Sequence, residues 1–288
     1  AVPLLAPVLV GVEAVVDGWD VVPGSRDTHP TPAIVHRLRE LGSGEGGRVL
    51  ATGAAMPANL PARFGLADLR SVDPVRPLPM ARLHQALGAA GMDLPGPVTT
   101  PWAGLAGAWN VRWLATPAEG LHGPWAADWE EVYRDAGGRL YRNRRALAML
   151  RLASRAIASP GDPATGAWEG IDFSTTAVVG APVELGGEGT VTTVEDRPDR
   201  HVARLRTHGT VLAVLHVPRA PGWRAFIDGR AAPIVVADLA AMGVVVAGGE
   251  HEVRWQYTPP GLAVGIALTL LGLAGCLALS LSSPRRRR

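Results

Sequence analysis

The chain has 288 residues, 47% hydrophobic and 19% charged, enough apolar material for one large or two ordinary packed domains and too much for a disordered chain. Lysine is absent, and the net charge of +2 is smaller than the contribution of the terminal Arg285 to Arg288; the body is near neutral and presents no basic face for nucleic acid. The single cysteine, Cys276, excludes an intrachain disulfide and a cysteine zinc site.

The apolar start, AVPLLAPVLVGV, has no basic segment before it and does not read as an intact signal peptide. It reads as the outer end of a preceding membrane helix (residues 1–16), with Glu13, Asp17 and Asp20 marking exit from the bilayer; an ordinary strand or mature N-terminus is the alternative. Thr31-Pro32 then opens a helix with Ile34, Leu38 and Leu41 on one face and Gly42 at its end. Arg48 to Thr52 reads as a short buried strand, and the following AAMPANLP as a loop. Met80, Leu83 and Leu87 mark a second helix. Asn110 to Ala115 alternates as a strand. Trp125, Trp129, Val132, Tyr133 and Ala136 make a helical stripe closed by Gly137-Gly138, with Glu130 and Glu131 on its solvated face, and Arg139 to Arg142 is a strand. Residues 17–145 are thus expected to form a mixed α/β exterior subdomain.

From Ala146 strand signals take over: Leu147 to Ile157, Trp168 to Val179, Thr190 to Glu195, His201 to Thr207, Thr210 to Val217, Trp223 to Asp228, Pro233 to Val236, Gly243 to Ala247 and His251 to Tyr257. Asp228-Gly229 and Gly248-Gly249 supply hairpin turns. His251, Val253, Trp255 and Tyr257 alternate with polar residues, which buries one face. Regular short strands predict a β-sandwich over residues 146–258. The fold class expected is α+β: the mixed subdomain, a carbohydrate-binding-like sandwich, then one transmembrane helix over 259–282. Gly261 to Leu281 carries no charge, and about 21 residues at 1.5 Å each span a hydrocarbon core of about 30 Å. The arginines after it place the tail, 283–288, in the cytoplasm. A buried core helix is the alternative.

Enzyme motifs are missing: the chain has no G-x-S-x-G, H-E-x-x-H or P-loop. Asp68 with Asp73, and Asp196 with Asp199, are carboxylate pairs only in spacing, and His201 and His208 do not read as joint ligands. No cofactor, metal or catalytic residue is expected. Trp223, in Pro-Gly-Trp-Arg, either caps the sandwich core or offers its ring to a sugar face. Trp102, Trp109, Trp113, Trp125 and Trp129 crowd one part of the first half, either as core or as the lining of an aromatic groove for a glycan or lipid-linked sugar; most are expected to be core and one or two to make interfacial contact.

The stretch from Thr210 to Pro260 resembles the C-terminal exterior domain of the YfhO family of bacterial membrane proteins. Pro221, Gly222, Trp223, Asp228, Gly229, Gly249, His251, Tyr257 and Pro259 match the family's sequence of Pro-Gly-Trp, strand, Asp-Gly, apolar hairpin, Gly-x-His and Tyr-x-Pro. Looser matches upstream are His29 to Pro32, Gly47 to Leu50, Pro57 to Leu60, Gly65 to Asp73, Asn110 and Leu140; Arg144, Arg145, Ala148 and Met149 depart from the pattern. The resemblance implies the extracytoplasmic region of a polytopic, GT-C-like glycosyltransferase acting in cell-envelope glycosylation with polyprenyl-phosphate-linked sugar. In such enzymes the catalytic acid lies in an early exterior loop, which this late part does not contain. Trp223, Asp228, His251 and Tyr257 are the candidate substrate-binding residues. The partners implied are membrane lipid, the polyprenyl-phosphate sugar and cell-envelope glycan. A non-catalytic, membrane-anchored carbohydrate-binding or scaffolding ectodomain is the alternative.

Overall fold

In the first half a parallel strand pair has an antiparallel hairpin added to one side. The structure, a computed structural model, describes residues 32–53, 55–70, 77–88 and 98–282, with backbone only at 43–45 and 279–282. The expected N-terminal membrane segment and the arginine tail lie outside the described residues. Helix α1 (Ala33–Glu45) starts after Pro32, whose carbonyl accepts from the Val35 and His36 amides. It runs through Gly42, the expected end, and stops where Gly46 adopts a φ of 61° and donates to the Gly42 carbonyl. Strand β1 (Arg48–Ala51) follows, then short helices α2 (Leu60–Arg63), α3 (Leu78–Ala86) and α4 (Ala103–Ala108). α2 lies where a loop was expected.

Strands β2 (Val111–Thr116), β3 (Trp129–Arg134) and β4 (Arg139–Asn143) complete a sheet of order β1-β2-β4-β3, with β1 and β2 parallel and the other pairs antiparallel. The expected helix at Trp125 to Ala136 is therefore corrected: a 3-10 turn, Pro124–Asp128, leads into β3. The register of β3 slips between Glu131 and Tyr133, so its apolar side chains fall at spacings that imitate a helical stripe. Ile34, Val35 and Leu38 of α1 pack against Val49, Ala51, Trp113, Ala115 and Leu140 on one face of this sheet.

The second half is mostly strand. Strands β5 (Leu150–Ala153), β6 (Arg155–Ala158) and β7 (Thr176–Val179) are followed by β8 (Glu188–Arg197), β9 (Arg200–His208), β10 (Val211–Leu215), β11 (Trp223–Ile227), β12 (Arg230–Ala232), β13 (Val235–Ala237), β14 (Ala241–Val246) and β15 (Gly249–Tyr257). One sheet has the order β5-β10-β14-β13-β7-β6 and the other β12-β11-β15-β9-β8. The run expected as one strand from Leu147 to Ile157 breaks at Ser154. Its halves β5 and β6 form opposite edges of the six-stranded sheet, so that sheet curls back until its edges meet in the chain. Only Thr176–Val179 of the expected strand from Trp168 is strand; Trp168 and Phe173 sit in turns and fill core.

The six-stranded sheet is covered on both sides. Leu212 and Val214 join a core with Leu50, Trp109, Leu114 and Trp168, while Ala213, Leu215, Met242 and Val244 join another with Ala203, Ala225, Val253 and Trp255 of the five-stranded sheet. Two-sided burial is why β10 and β14 are nearly continuous apolar runs, whereas β9 and β15 alternate. β11 and β15 are hydrogen-bonded neighbours, in register Trp223 with Tyr257 and Ile227 with Val253. At the outer edge, β8 is exposed along nearly its whole length and bulges between Thr193 and Glu195. The chain is thus mostly β-sheet with few helices, and two of its sheets face each other as in a sandwich.

One polar cluster lies within the apolar interior. Asp238, in the turn between β13 and β14, has no exposed side-chain surface. Its Oδ2 accepts from Arg151 Nη2 at 2.6 Å and faces His216 Nε2 at 3.0 Å, and its Oδ1 accepts from the Val178 amide at 2.9 Å. Its backbone amide donates to the Val178 carbonyl, and its own carbonyl accepts from the Trp109 indole at 3.2 Å. Burial works to raise the Asp238 pKa, but the Arg151 charge and the contact with His216 outweigh it and hold the carboxyl below its ordinary value. Burial also holds the His216 imidazole below its ordinary value, although Asp238 pulls the other way. His216 is therefore neutral, with Nε2 donating to Asp238.

Residues Pro32–Thr258 form one compact unit, and α5 (Leu262–Ser282) belongs to a second. Its described side chains, Leu262 to Ala278, are all exposed. Among the described residues no helix is long and apolar enough to cross a membrane.

Trp255 has no exposed surface, so Trp255→Ala is expected to cost about 3–5 kcal/mol; an unchanged denaturant midpoint would contradict the core placement. His216 gives a pH test. Its lowered pKa means that, as pH falls through the ordinary value of 6.5, the unfolded chain binds a proton the native state refuses, and stability is lost. The stability advantage of the wild type over His216→Gln should shrink between pH 7.5 and 5; a constant gap in melting temperature would refute it.

Candidate functional site

The residues singled out from the sequence fall at two ends of one strand pair. Trp223 and Tyr257 are cross-strand partners at one end, their ring centroids 5.4 Å apart. His201 of β9 stacks on Trp223 at 5.7 Å, and its Nδ1 lies 2.8 Å from Asp196 Oδ1. The Trp223 indole, half-buried, is partnered by two rings and packs on the sandwich core. At the other end Asp228 and Gly229, with φ of 49° and 78°, form the two-residue turn between β11 and β12. Asp228 Oδ2 accepts from His251 Nδ1 at 2.7 Å, and Oδ1 from the Glu252 amide at 2.9 Å. The hydrogen bond from His251, then that from Glu252, hold the Asp228 carboxyl below its ordinary value. Four register steps separate the ends, about 14 Å of strand. The four residues therefore fall into two separate groups: Asp228 and His251 clamp a hairpin, and Trp223 and Tyr257 close the end of a core.

A different place has the form of a binding site. A cavity of about 360 Å³ is lined by Gln85, Thr100, Trp102, Trp125, Asp128 and Glu169, among others. The volume lies within the range of small-molecule sites, roughly 300–1,000 Å³. Gln85 comes from the last turn of α3, Trp102 from the residue preceding α4, and Trp125 and Asp128 from the 3-10 turn before β3. Glu169 follows a second 3-10 turn, Pro163–Thr165, whose start is capped by the Asp162 side chain accepting from the Ala164 amide at 2.9 Å. Two glycines set the shape. Gly123 has a φ of 105°, and a Cβ there would meet the Trp125 indole at 2.8 Å; Gly88 has a φ of 75°, and a Cβ there would meet Thr99 Oγ1 at 2.3 Å. The Trp102 ring meets the edge of Phe173 at 6.4 Å.

The tryptophans divide accordingly. Trp109, Trp113 and Trp129 are core, at 0%, 1% and 5% exposure, while Trp102 and Trp125 are half-buried and line the cavity, Trp102 also packing on the core. Sequence reasoning noticed this aromatic crowding but missed Gln85, Thr100, Asp128 and Glu169. They come from four separated segments, and their only signal was proximity to tryptophan. Asp128 lies 3.6 Å from Arg145, with 44% and 39% of the two side chains exposed. Among the described residues no group of three or more His, Cys, Asp or Glu lies together to hold a metal ion.

Because Trp223 closes a core rather than facing a cavity of its own, Trp223→Ala should lower stability by about 1–3 kcal/mol, as a partly buried ring does. Any loss of glycan binding should then follow unfolding alone. A variant with wild-type melting temperature and weakened glycan binding would restore the sugar-platform reading of this residue.

The family model described as bacterial membrane protein YfhO matches residues 187–269. The match takes in β8 to β15 and the head of α5, including Trp223, Asp228, His251 and Tyr257; the cavity residues lie outside it. No curated protein and no solved structure matches the chain. The stretch that carries Pro-Gly-Trp, Asp-Gly, Gly-x-His and Tyr-x-Pro is thus, from residue 187 to residue 269, similar to the YfhO family of bacterial membrane proteins.

Proposed function

We propose that the chain is the extracytoplasmic region of a membrane-anchored, glycosyltransferase-like protein that works on cell-envelope glycan with polyprenyl-phosphate-linked sugar. In this reading residues 17–145 and 146–258 lie outside the membrane, 259–282 cross it and 283–288 face the cytoplasm. The observation that carries it is α5. Over 21 helical residues it has no charged side chain, and Leu262, Leu268, Leu271 and Leu277 are 49–68% exposed. A continuous apolar helix surface of this kind marks a membrane or partner contact. The described side chains end at Ala278, and the sequence carries the uncharged run on to Ser283, about 30 Å of helix. Arg285 to Arg288 set its direction. Only the four residues 258–261 join the end of β15 to α5, so the last strand of the exterior domain is tethered close to the proposed bilayer surface.

Asp228 is engaged in a turn and Asp238 is sealed in the interior, while the carboxylates of the cavity, Asp128 and Glu169, stand beside tryptophans. A carbohydrate-binding ectodomain without catalysis is the second reading, and the indole-lined cavity favours it.

Orientation is tested with a fluorescent protein that matures only in the cytoplasm, fused after Arg288, and with Ser159→Cys in a Cys276→Ser background. Ser159 is exposed in the loop after β6. Fluorescence, together with labelling of the new thiol in intact cells by a membrane-impermeant maleimide, is the expected result. A dark fusion, or labelling only after permeabilisation, would refute the assignment.

A further inference from the structure

We propose that the cavity between Trp102 and Trp125 is a binding site for an uncharged pyranose unit of a glycan. Its walls pair two kinds of surface that a sugar ring needs together. The half-exposed indoles offer apolar faces to the ring's C–H groups, and Asp128, Glu169, Gln85 and Thr100 supply polar atoms for its hydroxyls. Each carboxylate oxygen accepts from a hydroxyl, and such charge-assisted bonds are shorter and stronger than neutral ones.

The chemistry narrows the ligand. Both charged groups lining the cavity are acidic; Arg145, 3.6 Å from Asp128, offsets one of them, so a uronic acid or a phosphorylated sugar would meet like charge chiefly at Glu169. A proline-rich peptide also fits indole surfaces, but its carbonyl acceptors match only Gln85 and Thr100, and its few donors leave Asp128 and Glu169 without partners. Sugar hydroxyls donate. The frame is also built in advance: Pro124 and Pro163 start the two 3-10 turns, the Gly123 backbone conformation lets the Trp125 ring lie against it, and the Phe173 edge supports Trp102. A frame set before binding spends little entropy on ordering. The cavity lies outside the residues that match the YfhO family model, so this site is not a property inferred from that match.

The proposal rests on the preceding reading for the presence of glycan around the domain, but the two fail separately. The full chain is purified in an amine-oxide detergent, which has no sugar headgroup to compete, and titrated with cellohexaose, mannohexaose and chitohexaose by calorimetry and saturation-transfer NMR. At least one of these uncharged oligosaccharides should bind. Trp125→Ala should weaken binding at least tenfold in protein that stays folded at the titration temperature, its partly buried ring lowering the melting temperature somewhat, and Glu169→Gln should weaken it severalfold with unchanged melting temperature, since that side chain is exposed. Hexagalacturonate should bind at least tenfold more weakly than the best uncharged hexasaccharide. Absence of binding by all three, binding indifferent to both substitutions, or preference for hexagalacturonate or for a decaproline peptide would overturn the proposal while leaving the membrane assignment standing. A failed orientation test alongside sugar binding that responds to Trp125→Ala would do the reverse.

Discussion

A carboxylate with no exposed surface would ordinarily be expelled from a protein interior, and Asp238 stays there only because four parts of the chain converge on it. Arg151 reaches it from β5, His216 from just beyond β10, the Val178 amide from β7, and Trp109, at the end of α4, binds its backbone carbonyl. A residue with φ of 47°, followed by Leu239 with φ of 77°, makes the turn that lets one side chain face all of them. The cluster is costly: Arg151 is 6% exposed, and its Nε and Nη1 find no protein partner. In exchange it gives the interior a geometric specificity that apolar packing alone lacks. The sheet edges, the β13–β14 turn and the tryptophan layer of the first half fit one another in a single register.

That central sheet explains how one compact unit serves two surfaces. Its one face packs under the five-stranded sheet, which lies within the YfhO-matching stretch; its other face packs under the half that holds the indole-lined cavity. The stretch that matches the family and the indole-lined cavity are therefore on different layers. Asp228 and His251 serve the turn geometry of a hairpin, and Trp223 and Tyr257 close the end of a core.

Legibility followed the range of the interactions. The Asp228-Gly229 turn was readable because two consecutive positive φ angles leave few residue choices, and β15 because its alternation is regular. Trp125 to Ala136 misled because a bulge shifts a period of two into something like 3.6. Ala103–Ala108 gave no signal because all six of its residues are buried, which leaves no stripe to detect. The break at Ser154 hides inside an uninterrupted apolar pattern. The Asp238 cluster joins residues 22 and 87 positions apart, and the cavity draws on four segments; no local spacing encodes either. What the sequence did carry was composition in space, the crowding of tryptophans, and two of those five are the ones that line the cavity.

The exposed strand β8 has a consequence for association with other chains. A ten-residue edge offers unpaired amides and carbonyls to any passing extended chain, including a second copy of itself. Here the slip between Thr193 and Glu195 breaks the straight ladder such a visitor would need, and Glu195, Asp196 and Arg197 place charge at the end of the strand. Val194, 51% exposed, is the exposed valine of that strand, while Val191 packs against the core. Self-templating growth along this edge would have to accommodate both the kink and the charges. The strand is thus kept from seeding the sheet-to-sheet polymerisation that its length would otherwise invite.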